Sequence, residues 1–184
     1  MYQNGRVRLR DLRIEDANSV VQWFDDATLR RQIHGGAPAP IGLETEQEWI
    51  RQHMGPMEDQ QHYAIETMEG EFIGVCSYSD VCWRNRNCKV GWFLGAANMR
   101  GRGYGTDMIR LLLNICFEEL GMHKVSLDVF SYNEGAIRLY ERLGFVREAT
   151  KREHVFTQGK YWDEYTYSML EGEYRRRNAG EAET

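Results

Sequence analysis

An α/β domain built around one mixed sheet is the fold class this sequence predicts, and three observations predict it. Short runs with apolar residues at every second position recur along the chain. Other segments repeat apolar residues at helical spacing, and in the second half the two patterns follow each other as strand, helix, strand, helix. Summed along the chain, these segments give a central sheet of about seven strands flanked by about four helices.

The elements follow in order. Val7 and Leu9 alternate with Arg6, Arg8 and Arg10, a strand with one buried face. Asp16 opens a helix carried by Ala17, Val20, Val21 and Phe24, which ends at Asp25-Asp26. His34-Gly35-Gly36-Ala37-Pro38-Ala39-Pro40 cannot continue a helix and reads as a loop. Thr45 stands three residues before Glu48, a capping box for a second helix through Trp49, Ile50 and Met54. Residues 63–68, 72–81 and 88–94 read as an antiparallel meander, turning at Glu69-Gly70-Glu71 and again at 84–87.

A helix from Thr106 carries the stripe Met108, Ile109, Leu112, Ile115 and Cys116 and stops at Gly121. Val125, Leu127 and Val129 form the next strand, and Ala136, Leu139, Tyr140 and Leu143 a helix ended by Gly144. Two strands, 145–156 and 161–170, meet around Gln158-Gly159. One domain is therefore expected over residues 1–170. A polar, solvated tail is expected over 171–184, including Arg175-Arg176-Arg177.

Composition narrows the function. A chain of 184 residues, 42% hydrophobic, is large enough for one core and short for two. No apolar run approaches the roughly 18 to 20 residues of a membrane span, and the start lacks the pattern of a signal peptide, so a cytoplasmic protein without a membrane partner is expected. Cys76, Cys82, Cys88 and Cys116 have no zinc-site spacing and are expected as reduced thiols, with no metal bound. A formal charge of −5 argues against a nucleic-acid partner.

The chemistry lies in Arg100-Gly101-Arg102-Gly103-Tyr104-Gly105-Thr106, which joins a strand to a helix start. Glycines at alternate positions let the backbone approach a ligand, and the helix N-terminus offers unpaired N–H groups and a positive dipole end, a site for phosphate. The loop has no lysine, so it is not a Walker A motif, and Thr106 falls where a dinucleotide fingerprint needs a small residue. It does match Arg/Gln-x-x-Gly-x-Gly/Ala through Arg100, Gly103 and Gly105, the acetyl-CoA loop of GCN5-related N-acetyltransferases (GNAT). Leu127-Asp128-Val129 and the block from Asn133 to Phe145 resemble that superfamily's second signature, and the opening strand is similar to its ribosomal-protein and spermidine acetyltransferase branch. One departure is Gly95, which stands where an apolar residue is usual and implies an extra residue between strand and loop.

The resemblance implies direct transfer of acetyl from CoA sulfur to an amine, with acetyl-CoA as co-substrate. Pyrophosphate is expected on the amides from Arg100 to Thr106, and pantetheine beside Phe93 and Leu94, where a strand N–H also serves the oxyanion. Tyr140 matches the general acid toward the leaving sulfur; its helical spacing alone favours a core aromatic. Asn133 matches a cofactor-contacting asparagine and also suits an N-cap. Asp128, a carboxylate on a central strand, is the candidate base, with Glu66 or a water chain as rivals.

The acceptor site is expected from the loop at 34–42, the two early helices and the final hairpin. Asp25, Asp26, Glu44 and Glu46 either favour a cationic amine there or are exposed helix-end charges. A peptide N-terminus or polyamine leads an amino sugar or aminoglycoside. A non-catalytic CoA-binding module and a nucleotide-phosphate binder are the other classes, and the final strand edges offer a homodimer surface.

Overall fold

The computed structural model describes residues 2–35 and 41–182. Period-two alternation builds one open sheet of eight strands in the order β1-β2-β3-β4-β5-β6-β8-β7. Their ranges are β1 Tyr2–Asn4, β2 Val7–Asp11, β3 Gln61–Thr67, β4 Phe72–Cys82, β5 Asn87–Leu94, β6 Lys124–Phe130, β7 Val146–Thr157 and β8 Lys160–Leu170. The strand beyond the expected set is β1, three residues antiparallel to β2 and too short to display a period.

Six helices accompany the sheet: α1 Ala17–Trp23, α2 Ala27–His34, α3 Leu43–His53, α4 Tyr104–Asn114, α5 Glu134–Arg142 and α6 Glu171–Ala182. Alternation along the strands divides two cores. Ile65, Ile73 and Cys76 point into one with α4, whereas Ala64 and Val75 point into the other with Ala17, Val20 and Phe24 of α1 and its continuation.

Several sequence expectations change. Asp26 does not end a helix but caps α2, its carboxylate accepting the Thr28 N–H at 2.8 Å. The expected loop from His34 to Pro40 falls partly on residues 36–40, outside the described residues. Gly42 caps α3, so Thr45 lies inside that helix and the predicted capping box does not form. α4 starts at Tyr104 rather than Thr106.

The polar segment after Leu170 is helical through Ala182, with 183–184 outside the described residues. Its anchor is Tyr174, buried and stacked on Phe117 with ring centroids 4.6 Å apart, while Arg177 donates to the Arg142 carbonyl. One aromatic on a polar helix is too sparse to register as a periodic pattern.

The sheet divides in the middle. β5 and β6 are parallel and paired only at Asn87↔Lys124, Cys88↔Val125 and Lys89↔Ser126. Beyond that, β5 stays with β4 as far as Leu94↔Gly74 and β6 stays with β8 as far as Phe130↔Glu164, so the two strands part. Lys89 and Asp128 bridge the fork at 2.7 Å. Asp128 also receives Lys151 at 3.0 Å and the Thr166 hydroxyl at 2.6 Å. Burial opposes its charge, but hydrogen bonds from Lys89, Thr166 and Lys151 outweigh that and hold the carboxyl down at about 2.

Two outcomes follow. A folded-state pKa below the unfolded value gives stability that is present above pH about 4 and lost as pH falls toward 2. Asp128→Asn is expected to cost about 2 kcal/mol at neutral pH and to flatten that acid limb, measured by denaturant unfolding between pH 7 and pH 2.5. Tyr174→Ala is expected to cost about 3 kcal/mol in urea unfolding, whereas a solvated tail would leave the midpoint unmoved.

Candidate active site

The fork opens toward the glycine loop. After β5 the chain makes a 3-10 turn at Ala97–Met99 and enters α4 through Gly103, its N-cap. Gly103 has φ +88°, a left-handed conformation that a side chain would strain. At Gly105 the constraint is space, because a Cβ would come 2.9 Å from the Trp92 ring. The Arg100 amide donates to the Ala97 carbonyl, and the Thr106 and Asp107 amides to the Gly103 carbonyl. The donors left forward for a ligand are therefore those from Gly101 to Gly105.

The side chains of the loop brace it. Arg100 donates to the Leu94 and Gly95 carbonyls at 3.2 and 3.3 Å and pairs with Asp26 at 3.2 Å, tying the end of β5 to α2. Arg6 donates to the Arg102 carbonyl, pairs with Asp107 at 2.8 Å and lies over the Tyr104 ring. Gly95 and Ala96 both donate to the Ile73 carbonyl, two successive amides on one acceptor as in a β-bulge, which accounts for the extra residue at this junction. The place of a side chain at Gly95 is filled by the Trp23 indole, 2.0 Å from where a Cβ would stand.

Beside the loop, Asn133 caps α5 through a 3.4 Å bond from the Ala136 amide, and two turns further Tyr140 points back toward β5. Its hydroxyl accepts a hydrogen bond from the Trp92 indole at 2.9 Å. Burial pushes the phenol well above its ordinary value, against a smaller opposing effect of the indole, so it stays protonated. A phenol has one proton to donate, and the indole contact leaves it uncommitted.

These parts enclose a cavity of about 500 Å³. Among the expected cofactor and catalytic residues, Phe93, Leu94, Arg100, Gly101, Gly103, Gly105, Thr106, Asn133 and Tyr140 line it. Arg102, Tyr104 and Asp128 do not: Arg102 is exposed and offers only its carbonyl to Arg6, Tyr104 lies under the Arg6 guanidinium, and Asp128 sits in the ion-pair cluster at the fork. Glu66 lies elsewhere, bound to Arg8 and Arg10, which hold its carboxyl below the usual range against the opposing effect of burial. Arg142 of the second signature block lines the cavity too, as do Trp92, Gln32 and Ile33, to which no sequence motif points. A tryptophan on an alternating strand carries no local sign that it meets a tyrosine 48 positions later.

A second cavity, of about 330 Å³, opens on the α1–α3 face of β5 and shares Ile33, Trp92 and Phe93 with the first. Phe24, Ile41, Trp49 and Val75 give it apolar walls, and His34, Glu46, His62 and Cys76 supply its titratable groups. Burial lowers both histidines; at His62 the neighbouring His53 adds to it, and the value falls to about 4. Of the acids expected near an acceptor, Glu46 alone enters: Asp26 is engaged by Arg100, while Asp25 and Glu44 are exposed. Among the described residues no cluster of His, Cys, Asp and Glu is arranged to hold a metal, and no helix is long and apolar enough to cross a membrane. All four cysteines are free thiols, three of them buried.

Comparison with known proteins agrees with this geometry. Residues 6–146 match the model of the acetyltransferase (GNAT) domain. The chain is 29% identical over 177 residues to the SPbeta prophage-derived uncharacterized N-acetyltransferase YokL of Bacillus subtilis, covering 94% of this chain and 95% of that one. It is 27% identical over 119 residues to the spermidine N(1)-acetyltransferase of Vibrio cholerae, covering 65% and 68% of the two chains. The crystal structure of a spermidine N-acetyltransferase from Vibrio cholerae with CoA and spermine superposes with a TM-score of 0.83 at 22% identity, over 94% of this chain and 99% of that one, and so shares the fold. With its glycine loop at the head of α4, its forked sheet and a match over residues 6–146, the chain belongs to the GNAT family of N-acetyltransferases.

Proposed function

We propose that this protein moves the acetyl group of acetyl-CoA directly to an amine, a peptide N-terminus or a polyamine. The observation that carries the proposal is the uncommitted proton of Tyr140, held in the same cavity as the glycine-loop amides. A non-catalytic CoA-binding module would need the loop but not the phenol. The polyamine reading is supported by the spermidine N(1)-acetyltransferase relative, and the peptide reading by the opening strand's resemblance to ribosomal-protein acetyltransferases. The unit of activity in this reading is residues 1–170, with α6 packed behind it, and the compartment is the cytoplasm. The exposed edge strand β7 supports a homodimer.

Each residue then has a task. The amides from Gly101 to Gly105 receive the pyrophosphate, with Arg142 and the α4 dipole adding positive potential. Asn133 contacts the cofactor while capping α5. The edge of β5 that β6 abandons, at Phe93 and Leu94, offers main-chain partners to pantetheine and an N–H for the oxyanion. Bound acetyl-CoA supplies the electrophilic thioester carbonyl. Tyr140 donates its proton to the departing sulfur.

An acceptor amine is protonated at neutral pH and must lose a proton before attacking. Asp128, held at about 2 and already receiving two ammonium groups and a hydroxyl, is a weak acceptor for that proton. In this reading it secures the fork, and a water chain through the open cavity removes the proton.

Acetyl-CoA and CoA are expected to raise the unfolding midpoint and ATP to leave it unchanged; at a hundred times Kd the gain is about 2.7 kcal/mol. Stabilisation by ATP alone would remove the acetyltransferase reading. Tyr140→Phe keeps the packing and removes the proton, so kcat is expected to fall about a hundredfold with CoA affinity retained, and an unchanged kcat would take Tyr140 out of the mechanism.

A further inference from the structure

The proposed donor site leaves the second cavity without a task, and one residue in it is physically anomalous. Glu46, on α3, is only 7% exposed. The other buried carboxylates among the described residues each hold a cation: Asp16 pairs with Arg10, Glu66 with Arg10 and Arg8, and Glu164 with Lys151. Among the described residues Glu46 has no ion pair and its side chain makes no hydrogen bond, yet it lines the cavity. No side-chain oxygen among the described residues is both sealed from solvent and unpartnered, so the Glu46 carboxylate opens onto the cavity, where a cation can meet it without displacing an internal partner.

We propose that this cavity is the amine site and that Glu46 is its cation-recognition residue, selecting a primary amine with a single ammonium group on an apolar body; the inference rests on the acetyl-transfer reading above. Three observations converge on that ligand. The walls from Val20, Phe24, Ile33, Ile41, Trp49 and Phe93 suit an aromatic or aliphatic body. His34, His62 and Cys76, the other titratable residues in the lining, are held toward their neutral forms by burial, which leaves Glu46 as the one carboxylate there. The nearby His53 faces Glu46 from its own helix, but its ring nitrogen is engaged by the Trp49 carbonyl at 2.8 Å. A polyamine would therefore leave its further ammonium groups against apolar walls. The cavity also adjoins the donor cavity along Ile33, Trp92 and Phe93, where an amine can reach the thioester.

The test compares acetyl transfer to phenethylamine, to a tetrapeptide beginning with Phe, and to spermidine, in the wild type and in Glu46→Gln, with CoA binding followed by thermal shift. The expected result is a higher kcat/KM for phenethylamine or the peptide than for spermidine, the two arms telling a free amine from a chain terminus. Glu46→Gln should raise that substrate's KM about tenfold or more while CoA affinity stays and the unfolding midpoint holds or rises. Glu46→Leu, which suits the apolar walls, should give the same KM loss. Preference for spermidine, or a KM changed less than twofold in both variants, overturns the proposal. CoA binding in the wild type without acetylation of phenethylamine or the peptide also overturns it, whereas absence of CoA binding overturns the acetyl-transfer reading itself.

Discussion

The parting of β5 and β6 after three paired residues is the constraint on which the rest of the molecule depends. A strand edge in the middle of a sheet exposes main-chain donors and acceptors that need partners, and open sheets leave such an edge only where it is used. Both strands are followed by helices, α4 and α5, so both helix N-termini arrive at the carboxyl ends of parallel strands, where α/β sheets bind ligands. The glycine loop and the Asn133 cap thus face one crevice because the strands diverge. The Lys89, Asp128, Lys151 and Thr166 cluster stands where the divergence begins and draws β5, β6, β7 and β8 together there.

Charge is distributed unequally over the two faces. Arg10, Asp16, Glu66 and Arg8 form a buried network in which each carboxylate is matched, and Asp128 is oversupplied with cations. Glu66 and Asp128 are thereby held in their charged forms and resist taking part in proton traffic. Glu46 is the opposite case, its carboxyl raised by burial against a smaller pull from His53. A binding residue for a cation belongs in that state, since ligand charge then meets an unsatisfied partner instead of competing with an internal one.

What could be read from the sequence was local. The glycine loop, the α4 stripe and the alternation of β2 to β6 depend on residues within one or two turns of each other, and they stand where the pattern puts them. Ends of elements fared worse: Asp26 ends a charged pair in the sequence but caps α2 in the fold, and Thr45 has the letters of a cap inside a helix that Gly42 begins. α6 escaped because one buried aromatic, Tyr174, anchors an otherwise polar helix. In the site, nine expected residues line the larger cavity, and the second cavity takes Glu46 and the early helices from the expected acceptor region but not the final hairpin; Trp92 was illegible, because its place depends on where distant elements meet β5. Asp128 stands out in the sequence as a carboxylate on a central strand, but its lysine partners come from β5 and β7 and cannot be counted from its neighbours.

Tyr140 joins the two levels. Its place in an apolar stripe and its place in the cavity looked like competing accounts, one of packing and one of chemistry. In the proposed mechanism the first is a condition of the second: contact with Phe145, Tyr167 and Trp92 buries the ring, and burial raises the phenol's pKa. The Trp92 indole then fills the oxygen's acceptor side, and the proton is directed away from it. A more exposed tyrosine would keep the proton equally well but exchange it with water and sample other rotamers. Packing supplies the orientation that the proposed role as an acid asks of a core aromatic.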